Sequence, residues 1–234
     1  MLEDPPLLTI RRHFSRPSQS VLTSFDQIPS VFFVDAQGGR GGLDYRIKPW
    51  CFTGPTPTFV GAALTCHCGP ADNLALFAAV ALAEPGDVLV VATDEFTQTS
   101  LTGDLLLRMA SNRGVRALVT DGLVRDCAGI RDVGIPVFCR GVTPNSPVRN
   151  GPGSVGLPIS LGGVTVHPGD VVVADEDGVV IVPQDDIQPM LSRVSAIQSA
   201  EAEFEQTVRD GLAVPEFIST LLQSDRVRYL DAAD

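Results

Sequence analysis

GDLLLRMASNRGVRALVTDGLVRD, residues Gly103–Asp126, reads as a tight loop, a helix of about three turns, a glycine break, a β-rich strand and a second turn ending in Arg125-Asp126. Asp104 stands at the helix start, and twenty residues separate it from Arg125. A helix and strand that fold back on each other would bring both ends of the unit to one place. That place would hold free backbone N–H groups, a guanidinium and two carboxylates. An anion and a metal ion could share it.

The flanking segments set the fold class. DVLVVAT (87–93) is a continuous apolar run of strand length, the pattern of a strand buried on both faces. Upstream of it, Asp72 heads an apolar helix, NLALFAAVALAE, that stops at Pro85-Gly86, and Cys51–His67 is strand-like. PVFCRG (136–141) supplies a further strand. Helix and strand alternate through this region, which predicts an α/β fold with a parallel or mixed sheet. VTVHPGDVVVADEDGVVIVP then carries two turn signals, at 168–170 and 175–178, between short β-branched runs, and predicts a β-meander. From Pro183 the chain is helical, with Gly211 in C-cap position and a last short helix after Pro215. Residues 1–20, with Pro5, Pro6 and Pro17, form an N-terminal arm, and residues 184–234 the C-terminal helices. A short element broken at Pro29 and an exposed GGRGG loop (38–42) lie between the arm and the first strand. That loop matches neither GxxxxGK[ST] nor GxGxxG, which excludes a nucleotide reading. The segments interleave without a linker, so residues 1–234 read as one domain.

Composition narrows the function classes. Apolar residues make up 44% of the 234, charged residues 19%, and the net charge is −11. That balance suits a packed globular protein and excludes nucleic acid as a partner, since phosphate binding needs clustered Lys and Arg. No apolar run approaches the roughly 20 residues that span a bilayer, so no membrane partner is expected. A basic n-region with an apolar core is also missing, which places the chain in the cytoplasm with its five cysteines reduced. Cys66-His67-Cys68 lacks a second ligand pair and reads as a strand alternating between faces rather than a zinc site. His13, His67 and His167 are scattered and structural.

The chemistry concentrates at Gly103–Asp126. Gly103 lets a ligand approach the backbone, and Leu105 and Leu106 offer N–H donors while their side chains pack inward. Arg125 presents a planar fork to a carboxylate or an enolate oxygen. Asp104 and Asp126 are the hard oxygen donors that Mg²⁺ uses. Together they describe a site for a 2-oxo acid whose C3–C4 bond breaks to leave a pyruvate enolate. Such chemistry needs no Schiff-base lysine, and Lys48, the chain's one lysine, sits in a loop beside a proline. Taken alone, an aspartate at a helix start is most often a cap, and an Arg-Asp pair at a strand end a surface ion pair.

GDLL (103–106), RGVRALVTDGLVRD, GIPVFCRGVTP and GGVTVHPGDVVVADEDGVVIVP, with GPTPTFVG, DNLAL and PGDVLVV, resemble the RraA-like family over roughly residues 50–211. That family includes class II aldolases acting on 4-hydroxy-4-methyl-2-oxoglutarate and 4-carboxy-4-hydroxy-2-oxoadipate, and the regulator of RNase E activity. The resemblance implies a swivelling β/β/α domain with a helical C-terminal arm, assembled as homotrimers or hexamers with sites between subunits. It implies an Asp-X20-Arg-Asp signature at Asp104, Arg125 and Asp126. Asp104 and Asp126 would hold Mg²⁺ or Mn²⁺, Arg125 would bind the pyruvyl part, and the amides of Gly103, Leu105 and Leu106 its carboxylate. A catalytic glutamate from a neighbouring subunit's C-terminal helix falls at Glu201, with Glu203 and Glu205 as rivals. The implied activity is cleavage of a 4-hydroxy-2-oxo acid to pyruvate, with oxaloacetate decarboxylation beside it. The alternative is a non-catalytic regulator that binds a ribonuclease or another protein. One departure stands out. The aldolase signature has an acidic residue three positions after its second aspartate, and here that position is Gly129. Upstream of the resemblance, Asp35 is the one further candidate for the site.

Overall fold

The computed structural model describes residues 6–51 and 58–230. The strands are β1 (Leu8–Ile10), β2 (Lys48–Pro49), β3 (Phe59–Cys68), β4 (Asp87–Ala92), β5 (Ser100–Thr102), β6 (Ala117–Thr120), β7 (Leu123–Val124), β8 (Val137–Cys139), β9 (Gly153–Val155), β10 (Ile159–Leu161), β11 (Val164–Val166), β12 (Val171–Ala174) and β13 (Val179–Val182). The helices are α1 (Gln19–Phe25), α2 (Ser30–Ala36), α3 (Leu74–Leu82), α4 (Asp104–Asn112), α5 (Cys127–Val133), α6 (Ile187–Arg209) and α7 (Glu216–Leu222). Contacts cluster into two compact units, Met1–Val194 and Ser195–Asp234, with the boundary inside α6.

The first unit is built on β3. Its C-terminal two-thirds pair in parallel with β4, which continues in parallel to β6 and then β8. Its N-terminal half pairs antiparallel with β12, and its last residues pair antiparallel with β9. Side-chain alternation divides the core accordingly. Leu64, Cys66, Leu89, Val91, Leu118 and Val137 point to a layer made by α3, α4 and α5. Ala63, Val88, Val90, Val119 and Phe138 point to the opposite layer, under β10 and β11. Both faces are covered, so β4 reads as an unbroken apolar run and all six of its residues are buried. A third cluster joins α1, α2, β12, β13 and the first turns of α6, where Phe25 and Phe33 stack at 5.1 Å. The arm docks: β1 pairs in parallel with β9, and the Arg16 guanidinium grips the buried Asp87 carboxylate at 2.8 and 2.9 Å.

Two expectations are corrected. No β-meander runs from 164 to 182. β11 pairs with β10, and β12 leaves to pair with β3 and β13. The Asp170 carboxylate makes the break, accepting from the His167 and Gln184 amides at 2.8 and 3.0 Å and fixing a corner between two sheets. Nor are all five thiols reduced. Cys51, two residues past β2, and Cys127, the first residue of α5, form a disulfide across a Cα–Cα distance of 4.8 Å. Edge strand and helix start meet in one core cluster, which puts the two sulfurs together. Cys66, Cys68 and Cys139 are free and buried.

Candidate active site

The chain folds back so that the two ends of the 103–126 unit meet. β5 and β7 pair in parallel, and the Arg125 amide donates to Thr102 O at 3.0 Å, which sets Gly103 against Arg125 and Asp126. The approach is close enough that a Cβ on Gly103 would fall 2.2 Å from Asp126 Oδ2 and 3.2 Å from Arg125 Cγ. A side chain at 103 would displace the Asp126 carboxylate from its present position. A second seat lies across the site: a Cβ on Gly129, in α5, would fall 2.2 Å from Asp104 Oδ2 and 2.6 Å from Asp104 Cβ. The departure at position 129 is therefore the space that Asp104 occupies.

A cavity of about 680 Å³ opens over this junction, lined by Gly103–Leu106, Met109, Arg125, Asp126, Asn73, Phe77 and the 146–149 loop. Gly103, not Asp104, is the N-cap of α4, and Asp104 lies in the first turn, where its Oδ1 accepts its neighbour Leu105's amide at 2.7 Å. That contact occupies one of the three amides expected to face an anion. The amides of Gly103 and Leu106 have no acceptor among the described residues. The leucines also part company: Leu106 is buried, as expected, while Leu105 is 74% exposed and points outward. Arg125 is oriented from two sides, by Asp126 Oδ2 at 3.2 Å from its Nε and by Ser146 Oγ at its Nη1. Asp126 takes a left-handed backbone (φ 59, ψ 44) as the N-cap of α5, and its carboxylate makes no cap hydrogen bond. Apart from its pairing with Arg125, that carboxylate faces the cavity.

The opposite wall was missed from the sequence. Asn73 is 4% exposed and donates its amide N–H to Leu101 O at 2.9 Å, while its Oδ1 has no partner. A buried acceptor without a donor costs free energy unless a ligand or water supplies one. Arg149 lies over the Phe77 ring at 5.0 Å and lines the same cavity. One buried carboxylate ties these parts together. Asp72 Oδ1 accepts the Leu74 amide at 2.8 Å, at the start of α3, and its Oδ2 accepts the amides of Asn150 and Gly151, the latter at 2.9 Å. Asn73, not Asp72, is the N-cap of α3; Asp72 stands one residue earlier, accepts the first helical amide, and also anchors the loop that carries Arg149.

A model of the RraA-like family (Aldolase/RraA) matches residues 25–181, two-thirds of the sequence. The chain belongs to the RraA-like family. One relative, from Halalkalibacterium halodurans, is provisionally named a 4-hydroxy-4-methyl-2-oxoglutarate aldolase; it is 32% identical over 202 residues, covering 86% of this chain and 95% of the relative. RraAS2 from Streptomyces coelicolor, described as an unusual member of the RNase ES inhibitor RraA family, superposes with a TM-score of 0.69 at 30% identity, over 83% of this chain and all of that one. RraA from Thermus thermophilis, described as an RNA-processing inhibitor, gives 0.61 at 29% identity over 67% and 93%.

Within this RraA-like chain the remaining candidates separate clearly. Glu201, Glu203 and Glu205 are exposed on α6 in the second unit, where Glu205 is paired with Arg209 and the other two have no ion pair among the described residues. Asp35 lines a different cavity, with Gly42 and Asp177. Lys48 donates to Asp177 O and is absent from the site cavity. His67 faces Asp94 at 3.0 Å, while Cys66 and Cys68 point into the core, the alternation expected of a strand. Among the described residues no group of three His, Cys, Asp or Glu could enclose a metal. The two site carboxylates suit a hard ion that keeps several of its waters, which is how Mg²⁺ binds. No described helix is long and apolar enough to cross a membrane.

Proposed function

We propose that the chain is a divalent-metal-dependent lyase that cleaves a 4-hydroxy-2-oxo acid to pyruvate and decarboxylates oxaloacetate through the same enolate. The observation that carries this reading is the convergence of Arg125, Asp126, Asp104 and the Gly103 and Leu106 amides on one cavity from two turns of a single unit. The aldolase name of the H. halodurans relative supports it.

The substrate's 1-carboxylate would lie against the free amides at the start of α4, where the helix dipole favours negative charge. Arg125, held by Asp126 and Ser146, would face the 2-oxo oxygen and stabilise the negative charge that grows there as the C3–C4 bond breaks. Asp104 and Asp126 would hold Mg²⁺ or Mn²⁺, whose contribution is to polarise the 2-oxo group. The far wall accounts for the rest of the substrate: Asn73 Oδ1 would accept from the 4-hydroxyl, and Arg149 would meet a second carboxylate. Glu201 of another subunit, in a homotrimer or hexamer, is the proposed proton carrier.

Pyruvate release from oxaloacetate tests the reading. Turnover should vanish with EDTA, return with Mg²⁺, and fall by about 10² to 10³-fold in Arg125→Ala, the loss typical of one oxyanion donor. Metal-independent turnover, or full turnover in Arg125→Ala, would sink it. The inhibitor names of the two solved relatives favour a second reading, a regulator of a ribonuclease. Inhibition of a purified ribonuclease by a chain that shows no turnover would establish that one instead.

A further inference from the structure

We propose that the Cys51–Cys127 disulfide is a redox-active site: it holds Asp126 in place, and its opening by a dithiol reductant weakens metal binding at Asp104 and Asp126. The inference rests on the metal-site reading above. Cys127 directly follows Asp126, and Asp126 has a backbone (φ 59) that a non-glycine residue adopts only when its surroundings impose it. Cys51 is in the same region (φ 62). Helix α5 has seven residues, too few to hold its own start, so its N-terminus depends on ties to the rest of the fold. The disulfide is the covalent tie. It joins the first residue of α5 to a residue two positions past edge strand β2, which is itself paired over only two residues. The same helix carries Gly129, the seat of the Asp104 carboxylate, so loosening α5 moves the surroundings of both site aspartates.

Thiol chemistry in this chain is confined to the pair. Cys66, Cys68 and Cys139 are buried, and burial pushes the Cys66 thiol well above its usual value and that of Cys139 up to about 12. Cys66 and Cys139 therefore hold almost no thiolate at neutral pH, and Cys68 is out of reach of a reagent because it is fully buried. Cys127 is partly exposed. A thiolate of the reductant attacks one sulfur of the Cys51–Cys127 bond, forming a mixed disulfide and releasing the other cysteine as thiolate. The reductant's second thiolate displaces the first cysteine and leaves as a cyclic disulfide, so the protein gains two electrons and two protons.

The test uses the full chain, as isolated and after dithiothreitol followed by anaerobic desalting. Iodoacetamide under native conditions should label no cysteine before reduction, and Cys51 and Cys127 after it, as located by peptide mass spectrometry. Mn²⁺ titration should show affinity at least tenfold weaker in the reduced protein, restored on reoxidation. Cys51→Ser should bind weakly with or without reductant; should it fail to fold, the reduced wild type carries the comparison alone. Labelling of Cys127 before reduction would overturn the proposal, as would equal Mn²⁺ affinity in the two forms, including none in either. Failure of both forms to release pyruvate would count against the lyase reading alone, because labelling and Mn²⁺ affinity are read without turnover.

Discussion

Gly129→Ala puts one methyl group where Asp104 now sits. The new Cβ would lie 2.6 Å from Asp104 Cβ, 2.7 Å from its Cγ and 2.2 Å from Oδ2. Rotating Asp104 about χ1 moves the carboxylate but leaves its Cβ where it is, so the backbones of α4 and α5 must separate. Carbon atoms pack at about 3.5–4.0 Å, so the separation needed is roughly 1 Å. Alanine in a helix recovers about 0.5–1 kcal/mol over glycine, and overpacking costs about 1–3 kcal/mol, for a net loss of roughly 0–2 kcal/mol. At about 2–4 °C per kcal/mol for a chain of this size, Tm should drop by no more than about 8 °C. The variant stays folded at 25 °C. Its chemistry should not survive, since a misplacement of about 1 Å can cost on the order of 10²-fold in rate. Oxaloacetate decarboxylation, followed by pyruvate release at saturating Mg²⁺, should therefore show kcat/KM lowered about 10²-fold with the circular dichroism spectrum unchanged. Wild-type turnover in a folded Gly129→Ala protein would refute the idea that the bare Cα at 129 is what seats Asp104.

Three further outcomes follow from other contacts. Asp72→Ala removes the acceptor of three amides; KM for oxaloacetate should rise about tenfold while kcat changes little, because Arg149's loop is released and Arg125 is not, and Arg149→Ala should raise KM similarly without the loss of Tm that steady heating would show for Asp72→Ala. Cys51→Ser opens a link that spans 76 residues, worth roughly 4 kcal/mol in chain entropy, so Tm should fall by about 10 °C, and dithiothreitol should lower the wild type alike but not the variant. Acidification should separate two carboxylates of opposite sign. The Arg140 guanidinium, ion-paired with Glu95 at 2.9 Å, holds that carboxyl below its usual range, so that stabilisation is present above about pH 4 and lost as pH falls, while burial raises Asp170, whose contribution is present at low pH and lost as pH rises. In thermal melts between pH 3 and 7, Glu95→Gln should flatten the acid limb and Asp170→Asn should steepen it.

How much of this could be read beforehand depends on how far apart the interacting residues lie. The pyruvyl end of the proposed site lies within 24 residues, Gly103–Asp126, and is bounded by a helix and strand whose periodicities are local; its convergence was legible from spacing alone. The doubly covered sheet was equally legible, because β4 states its burial in its own residues. Strand partners were not. β11 and β12 follow one another with a turn signal between them, and they go to different neighbours where the Asp170 carboxylate reaches the Gln184 amide beyond β13 and the 169–170 backbone bonds to Ala63 of β3. Cysteine spacing likewise carries no pairing information, so the bond from Cys51 to Cys127 was hidden. The far wall is the telling case. Its residues come from 73–77 and 146–149, and a single carboxylate, Asp72, joins the two segments. In the sequence Asp72 is only a helix cap, and nothing local marks its second oxygen as the anchor of a loop 78 residues away. The half of the cavity proposed to recognise the pyruvyl unit is therefore written locally. The half proposed to choose among substrate tails is written in one long-range hydrogen-bonded junction, so a change of substrate requires no change in the signature that identifies the family.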